Sequence, residues 1–411
     1  MTVDILPIQV DSSPDASSKI NLGLGLMSAY PQLRFSTNEI KRAGKRLAGN
    51  IVWNDNDRSE ILQTFEIAHN WRNAHVYPMR SVRASVIGRL RSLGIPGVTA
   101  ARAKRMASIR RKLQKTTTHL SQMQDLGGCR AIVEDIEGAR RLAADCLSRM
   151  PHDVLKEQNY IETAKSDGYR SHHIIYSYKG QSGKTEFDGR RIELQIRTRL
   201  QHAWSTAVEA VGLYRNENMK AGEGSIDWLR LFKCVSDEIA FAEGCETGRL
   251  APSRPARIAE IRELNSTLGA VDLLENLKNA TQYVETHLHP GHASLYLLKY
   301  DHSDHTVSVQ SYFDPLSGAA SFDEAERAIE EGLIDTNVVL VEADKITSLA
   351  DAYPNYFGDV TLFISTLRKM CRDVEAPEFA LKKQHVVKPK PKEMPDLSWF
   401  FNRHRRWTDK Q

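Results

Sequence analysis

Cysteine is scarce and unpaired in this 411-residue chain. The five are Cys129, Cys146, Cys234, Cys245 and Cys371, an odd number with no CxxC spacing. That argues against a disulfide framework and a structural zinc site, and favours a reducing, cytoplasmic setting. No run of 18 apolar residues occurs, so no membrane-spanning helix is expected. The opening residues, MTVDILPIQVDSSPDASSK, lack the basic and apolar regions of a signal peptide. With 24 Gly, 15 Pro, 41% hydrophobic and 26% charged residues, the chain fits neither collagen nor low-complexity classes. Its length predicts two or three globular domains. The net charge is only +4, so the distribution of charge says more than its balance.

Residues 1–35 mix Ser, Asp, Pro and Gly without a period and read as a mobile N-terminal segment. Ser36 and Glu39 have capping-box spacing, with Thr37 a rival cap, and predict a helix to about Leu47. A second helix is expected over SEILQTFEIAHNWRNAH, ending before Pro78, and a third over Arg80–Leu93. VTAARAKRMASIRRKLQK, residues 98–115, reads as a further helix. Met106, Ile109 and Leu113 form its apolar stripe, and Lys104, Ser108, Arg111, Lys112 and Lys115 lie on another face. Strands follow at GCRAIVED, VLKEQNYIE, SHHIIYSYKG and RIELQIRT, the last two joined by the turn-rich QSGKTEFDG; GARRLAADCLSRM reads as a helix between the first two. Helices follow from TRLQHAW and from SIDWLRLF. SRPAR (253–257) is a plausible boundary, followed by a long helix or helix pair. A module of two strands, helix, strand and helix extends to about 385, and 386–411 is a basic tail ending in aromatics.

Three segments suggest chemistry. The basic face of 104–115 can line a groove and hold a polyanion, although a solvated helix face gives the same pattern. Asp125, just before a strand, stands where a Mg²⁺ ligand often does, and equally where a cap or turn residue does. In RIELQIRT, Arg191, Glu193, Gln195 and Arg197 alternate with Ile192, Leu194 and Ile196. A solvated sheet face and a catalytic cleft both fit that alternation. Tyr169, in DGYRSHH, can stack a base or close a core edge.

The order of these segments is more specific than any one of them. RAKRMASIRRKL, QDLGGCRAIVED, DGYRSHH and IELQIRT together resemble the RelA/SpoT-type alarmone synthetase domain. The pattern is filled by Arg102, Lys104, Ser108, Ile109, Lys112, Asp125, Leu126, Arg130, Gly168, Tyr169, Ser171, His173, Glu193, Gln195, Ile196, Arg197 and Thr198. The resemblance, with flanking helices, covers roughly residues 35–245. It implies an α+β fold, a nucleotidyltransferase-like mixed β-sheet flanked by helices over 36–250, followed by a smaller C-terminal α/β domain over 255–385. It implies transfer of the β,γ-pyrophosphate of ATP to a ribose 3′-hydroxyl. Arg102, Lys104, Ser108, Arg111 and Lys112 would bind ATP. Asp125 and Glu193 would hold Mg²⁺, with Glu193 also the candidate base. Tyr169 would stack on the acceptor's base, with His173, Gln195 and Arg197 in or beside that site. Such chemistry asks for positioning and charge neutralisation, which these residue types supply.

Long members of that family carry an N-terminal hydrolase with a His-Asp metal motif. Here the one such dipeptide, His152-Asp153, falls inside the synthetase segment, so a synthetase without hydrolase activity is expected, like the small synthetases. GDP or GTP is the first acceptor expected. A toxin-like enzyme acting on the tRNA 3′ end, or making adenine analogues, is the alternative, with residues 255–385 masking the site. A degenerate nucleotide sensor is the non-enzyme alternative, opposed by the retention of Asp125 and Glu193. The tail SWFFNRHRRW could contact RNA or a partner protein or dock on its own chain. The C-terminal module could bind a regulator, and a homo-oligomer is compatible with the resemblance.

Overall fold

The structure is a computed structural model. It describes residues 30–180, 185–215, 217, 219, 222–280, 282–285, 295–301, 303, 306–343 and 360–372. Most of the N-terminal segment and all of the basic tail lie outside these residues.

The chain opens with three helices, α1 (Thr37–Ala48), α2 (Arg58–Asn73) and α3 (Val76–Leu93). The Ser36–Glu39 capping box forms as its spacing predicts. Helix α3 begins four residues earlier than expected, with Pro78 in its first turn, where the amide that proline lacks would have no intrahelical partner. The largest departure follows. Residues 98–103 are not the start of a helix but most of strand β1 (Gly97–Ala103); α4 occupies only Met106–Lys115. The reason is tertiary. All seven β1 residues pair with β2 (Gly127–Val133), and this outweighs the helix propensity of the alanines and arginine.

Helix α5 (Ile136–Arg149), β3 (Asp153–Asn159), β4 (His172–Ser177), β5 (Arg191–Thr198), α6 (Arg199–Tyr214) and α7 (Ile226–Ala242) follow within a few residues of their expected limits. The region beyond is the helix pair α8 (Arg254–Leu268) and α9 (Ala270–Ala280), then β6 (Gln282–Glu285), β7 (Leu295–Asp301), β8 (Thr306–Tyr312), α10 (Pro315–Glu330), β9 (Thr336–Glu342) and α11 (Thr361–Cys371).

Among the described residues nine strands form one mixed sheet, in the order β3-β4-β5-β2-β1-β9-β7-β8-β6. β2 and β5 are parallel, as are β6 and β8; the other neighbours are antiparallel. The C-terminal α/β region therefore continues the sheet of the preceding region rather than forming a second one. The join is short: Ala101 opposite Glu342 and Arg102 opposite Val341.

One face of β2 and β5 carries Cys129, Ala131, Val133, Ile192, Leu194 and Ile196, which pack with α3 and α5. Helices α6 to α9 and α11 share a second core around Trp228 and Phe232. α1, α2 and α4 share a third, with α10 covering a fourth against β7 and β9. No described helix is long and apolar enough to cross a membrane.

Candidate active site

Strand register assembles the site. Side chains alternate along a strand, so the face opposite Cys129 and Leu194 receives every second residue. The pairings set Arg102 beside Gly128, Gly128 beside Glu193, Arg130 beside Gln195, and Gln195 beside His173. Gly128 leaves a hollow between Arg102 and Glu193: a Cβ built there meets nothing nearer than the Arg102 carbonyl at 3.8 Å.

Two adjoining cavities share this face. One, of about 140 Å³, is lined by Arg102, Lys104, Arg105, Ser108, Asp125 and Glu193 among others. The second, of about 300 Å³, shares Arg102, Lys104, Asp125, Arg130, Glu193 and Gln195 and adds Tyr169, His173, Arg197 and an apolar wall including Trp204, Val208 and Phe232. Their described lining lies between residues 102 and 232, so none of it comes from the C-terminal region.

In the smaller cavity, Lys104 Nζ donates to Asp125 Oδ2 at 2.7 Å. Lys112 Nζ lies 3.0 Å from Asp125 Oδ1, but off the direction a hydrogen bond needs. That buried oxygen therefore has no hydrogen-bond partner among the described residues. Burial raises the Asp125 carboxyl, and the Lys104 and Lys112 ammoniums outweigh it, leaving it below the ordinary range. Burial also raises Glu193. Hydrogen bonds from His173 and Gln195 and the charge of Lys104 overcome that and hold it at about 2. Both carboxylates are thus ionised at neutral pH.

A closed ring of hydrogen bonds orients the larger cavity. Arg197 Nη2 donates to the Tyr169 hydroxyl and to Gln195 Oε1, each at 2.7 Å. The Tyr169 hydroxyl is 2.9 Å from His173 Nε2, and His173 Nδ1 is 3.0 Å from Glu193 Oε1. Gln195 Nε2 donates to Glu193 Oε2 at 2.7 Å. Glu193 can only accept, so the imidazole carries a proton on Nδ1. The ring fixes Tyr169 and gives each Glu193 oxygen one hydrogen bond, but it leaves Nε and Nη1 of the buried Arg197 without partners among the described residues.

Gly168 sets the approach to Tyr169. Its φ of +90° suits glycine, and a Cβ there would press on Ser236 and Lys233 of α7 at 3.2 and 3.3 Å. Lys165 Nζ stands 4.9 Å from the Tyr169 ring centre and 4.5 Å from that of Tyr160.

The residues expected from sequence mostly converge. Arg102, Lys104, Ser108, Asp125, Tyr169, His173, Glu193, Gln195 and Arg197 all line one or both cavities. Lys112 enters through its pairing with Asp125. Arg111 does not join them: it is exposed on α4 and lines neither cavity. Sequence reasoning did not single out Arg105, Lys165 or Ser205, whose buried Oγ has no hydrogen-bond partner among the described residues. Arg105 was legible within the basic run; Ser205 carried no local signal.

Residues 101–219 match the family model described as "Region found in RelA / SpoT proteins". The chain is 30% identical over 108 residues to the GTP pyrophosphokinase YjbM of Bacillus subtilis, a match spanning 26% of this chain and 51% of that protein. It is 30% identical over 142 residues to the GTP pyrophosphokinase of Haemophilus influenzae, spanning 34% of this chain and 18% of that protein. The chain thus spans about half or less of the length of these relatives. Among solved structures, small alarmone synthetase 1 from Bacillus subtilis bound to pppGpp aligns with a TM-score of 0.33 at 16% identity, covering 54% of this chain and 97% of that one.

Proposed function

We propose that this chain, which belongs to the RelA/SpoT family through residues 101–219, is a pyrophosphokinase that moves the β,γ-pyrophosphate of ATP onto the 3′-hydroxyl of GDP or GTP. One observation carries the reading. In adjoining cavities, Asp125 Oδ1, an ionised carboxylate oxygen with only the Lys112 ammonium beside it, and two guanidinium nitrogens, Arg197 Nε and Nη1, have no hydrogen-bond partners among the described residues. Such unmet groups are costly when buried, and a ligand offering a cation on one side and acceptor atoms on the other satisfies both. The choice of a guanine nucleotide leans on the relatives named GTP pyrophosphokinase.

Arg102, Lys104, Arg105, Lys112 and Arg130 offset the charge of the triphosphate, and the Ser108 hydroxyl adds a donor. Asp125 and Glu193 suit Mg²⁺: both are ionised, Asp125 Oδ1 is unsatisfied, and the Gly128 hollow leaves room beside Glu193. When bound there, the ion supplies neutralisation of charge on the phosphates. Tyr169 and the apolar wall seat the acceptor's base, and Arg197 reaches its polar atoms. The 3′-oxygen then bonds to the β-phosphorus and AMP leaves. A carboxylate held at about 2 does not take the hydroxyl proton in the ground state. Glu193 can accept it once the forming P–O bond has made that proton acidic.

The test is γ-labelled ATP offered with GDP, GTP, ATP or deacylated tRNA in turn. Label is expected in GDP or GTP. Label in tRNA instead would replace the acceptor, and no ATP consumption with any of them would remove the enzymatic reading. Glu193→Gln should abolish transfer while ATP still binds, and near-wild-type turnover would end its assignment. Tyr169→Ala should raise the acceptor KM about tenfold, the worth of one base–aromatic stack.

A further inference from the structure

Helix α4 carries Ser108 and Lys112 on its first two turns, so the placement of its N-terminus sets the phosphate-binding end of the site. The first amides of a helix need acceptors from outside it. The residue at the cap is Arg105, whose side chain has none to offer, and no side-chain cap forms. The acceptor comes from more than two hundred residues away. Met106 N–H donates to Glu326 Oε1 of α10 at 2.7 Å. A carboxylate is the favoured group at that position, since it faces the positive end of the helix.

Glu326 is one of several ties between the C-terminal region and residues 104–110. Its other oxygen takes a hydrogen bond from Arg72, which also donates to the Lys104 carbonyl at 3.3 Å. Arg105 donates to Asn337 of β9 at 2.8 Å. Arg110 pairs with Glu330, one turn along α10 from Glu326. Beside these, β9 pairs with β1 at Arg102 itself. All but the Arg110–Glu330 pair fall on or next to a residue that lines the smaller cavity, and the described lining contains nothing from the C-terminal region. His69 stands with Asp323 and Glu326 at metal-ligand spacing, but the Arg72 guanidinium already bonds both carboxylates.

We propose that Glu326 is a positioning residue for the phosphate grip: by capping α4 across the α4–α10 seam, it lets the C-terminal region build the ATP end of the site. The inference rests on the reading of that cavity as the ATP site. It makes the described part of the C-terminal region a scaffold of the site.

The test uses the full chain and two readouts, binding of a non-hydrolysable ATP analogue by calorimetry and steady-state KM for ATP and for GDP. Analogue binding and transfer by the wild type establish the underlying reading; their absence would remove that reading independently of Glu326. Glu326→Leu should raise the KM for ATP about tenfold or more, the loss of one charge-assisted hydrogen bond, with the KM for GDP unchanged. Glu326→Gln keeps an acceptor oxygen for Met106 and should recover most of that loss. If Glu326→Leu does not fold, Asn337→Ala decides. Its side chain is only partly buried, and releasing Arg105 should raise the KM for ATP a few-fold. ATP parameters at the wild-type value in every folded variant, or equal rises for ATP and GDP, would overturn the proposal.

Discussion

Two clusters of cations and carboxylates, one at the cavity and one at the α2–α10 seam, differ in what they leave over. At the cavity, Asp125 meets two lysines whose side chains remain 21% and 36% exposed, and one of its oxygens has no hydrogen bond among the described residues. At the α2–α10 seam, Arg72 is fully buried and donates to Asp323 and Glu326 together, with Asn73 adding a bond to Asp323. The first cluster retains spare binding capacity and solvent access. In the second, the Arg72 fork is spent on two carboxylates of α10, whose oxygens are all hydrogen-bonded, although the buried His69 Nε2 beside them has no hydrogen-bond partner among the described residues. Charge and burial alone therefore do not distinguish a site from a staple; whether a carboxylate oxygen is left unbonded does.

The sharpest way to break that contrast is to remove one cation from each cluster. Arg72→Met strands the buried Glu326 and the partly buried Asp323 and should cost about 3–5 kcal/mol of stability in urea unfolding. Lys104→Met leaves Asp125 its second lysine and should cost less than about 1 kcal/mol, while weakening ATP binding. Equal losses of stability would erase the distinction.

Acid should act next most strongly, and on the cavity side. Glu193 sits at about 2 in the folded chain, below its ordinary 4.5, because its hydrogen bonds outweigh burial. The unfolded chain therefore binds this proton more readily than the folded one. The stability Glu193 contributes is present above about pH 4.5 and lost as the pH falls toward 2, about 3 kcal/mol at full extent. Urea unfolding across that range, in the presence of a chelator, should show the slope, and Glu193→Gln should flatten it. An unchanged slope would mean that the hydrogen-bonded ring does not hold the carboxylate.

The smallest effect concerns the hollow between Arg102 and Glu193. Gly128→Ala places a methyl where the nearest atom is 3.8 Å away, so thermal stability should hardly change. The methyl fills space beside the carboxylates, and the KM for ATP should rise a few-fold. A rise confined to the acceptor KM would move the phosphate position elsewhere.

Much of this was legible before any coordinates. The alternation in RIELQIRT marks one apolar and one polar face, and the capping box at Ser36 and Glu39 forms as spaced. Local rules of period and capping suffice for these, because strand parity and helix ends depend on near neighbours. The helix expected over 98–115 failed at its first half, where pairing of Gly97–Ala103 with β2 decided the outcome. The gap in the sequence-based site had the same origin. Ser205 on α6 enters the larger cavity through packing that no spacing rule encodes.

The sequence by itself determined which chemistry the chain can hold: lysines and arginines for a polyphosphate, two carboxylates for a cation, a tyrosine for a ring. Those are properties of side chains and of their order along the chain. Only the tertiary structure decided that Asp125 and Glu193 stay ionised, that Arg197 keeps two nitrogens unspent, and that α10 caps α4 from 220 residues away. Protonation, unsatisfied valence and distant capping depend on burial and on which segments meet, and in a single chain only the completed fold sets those.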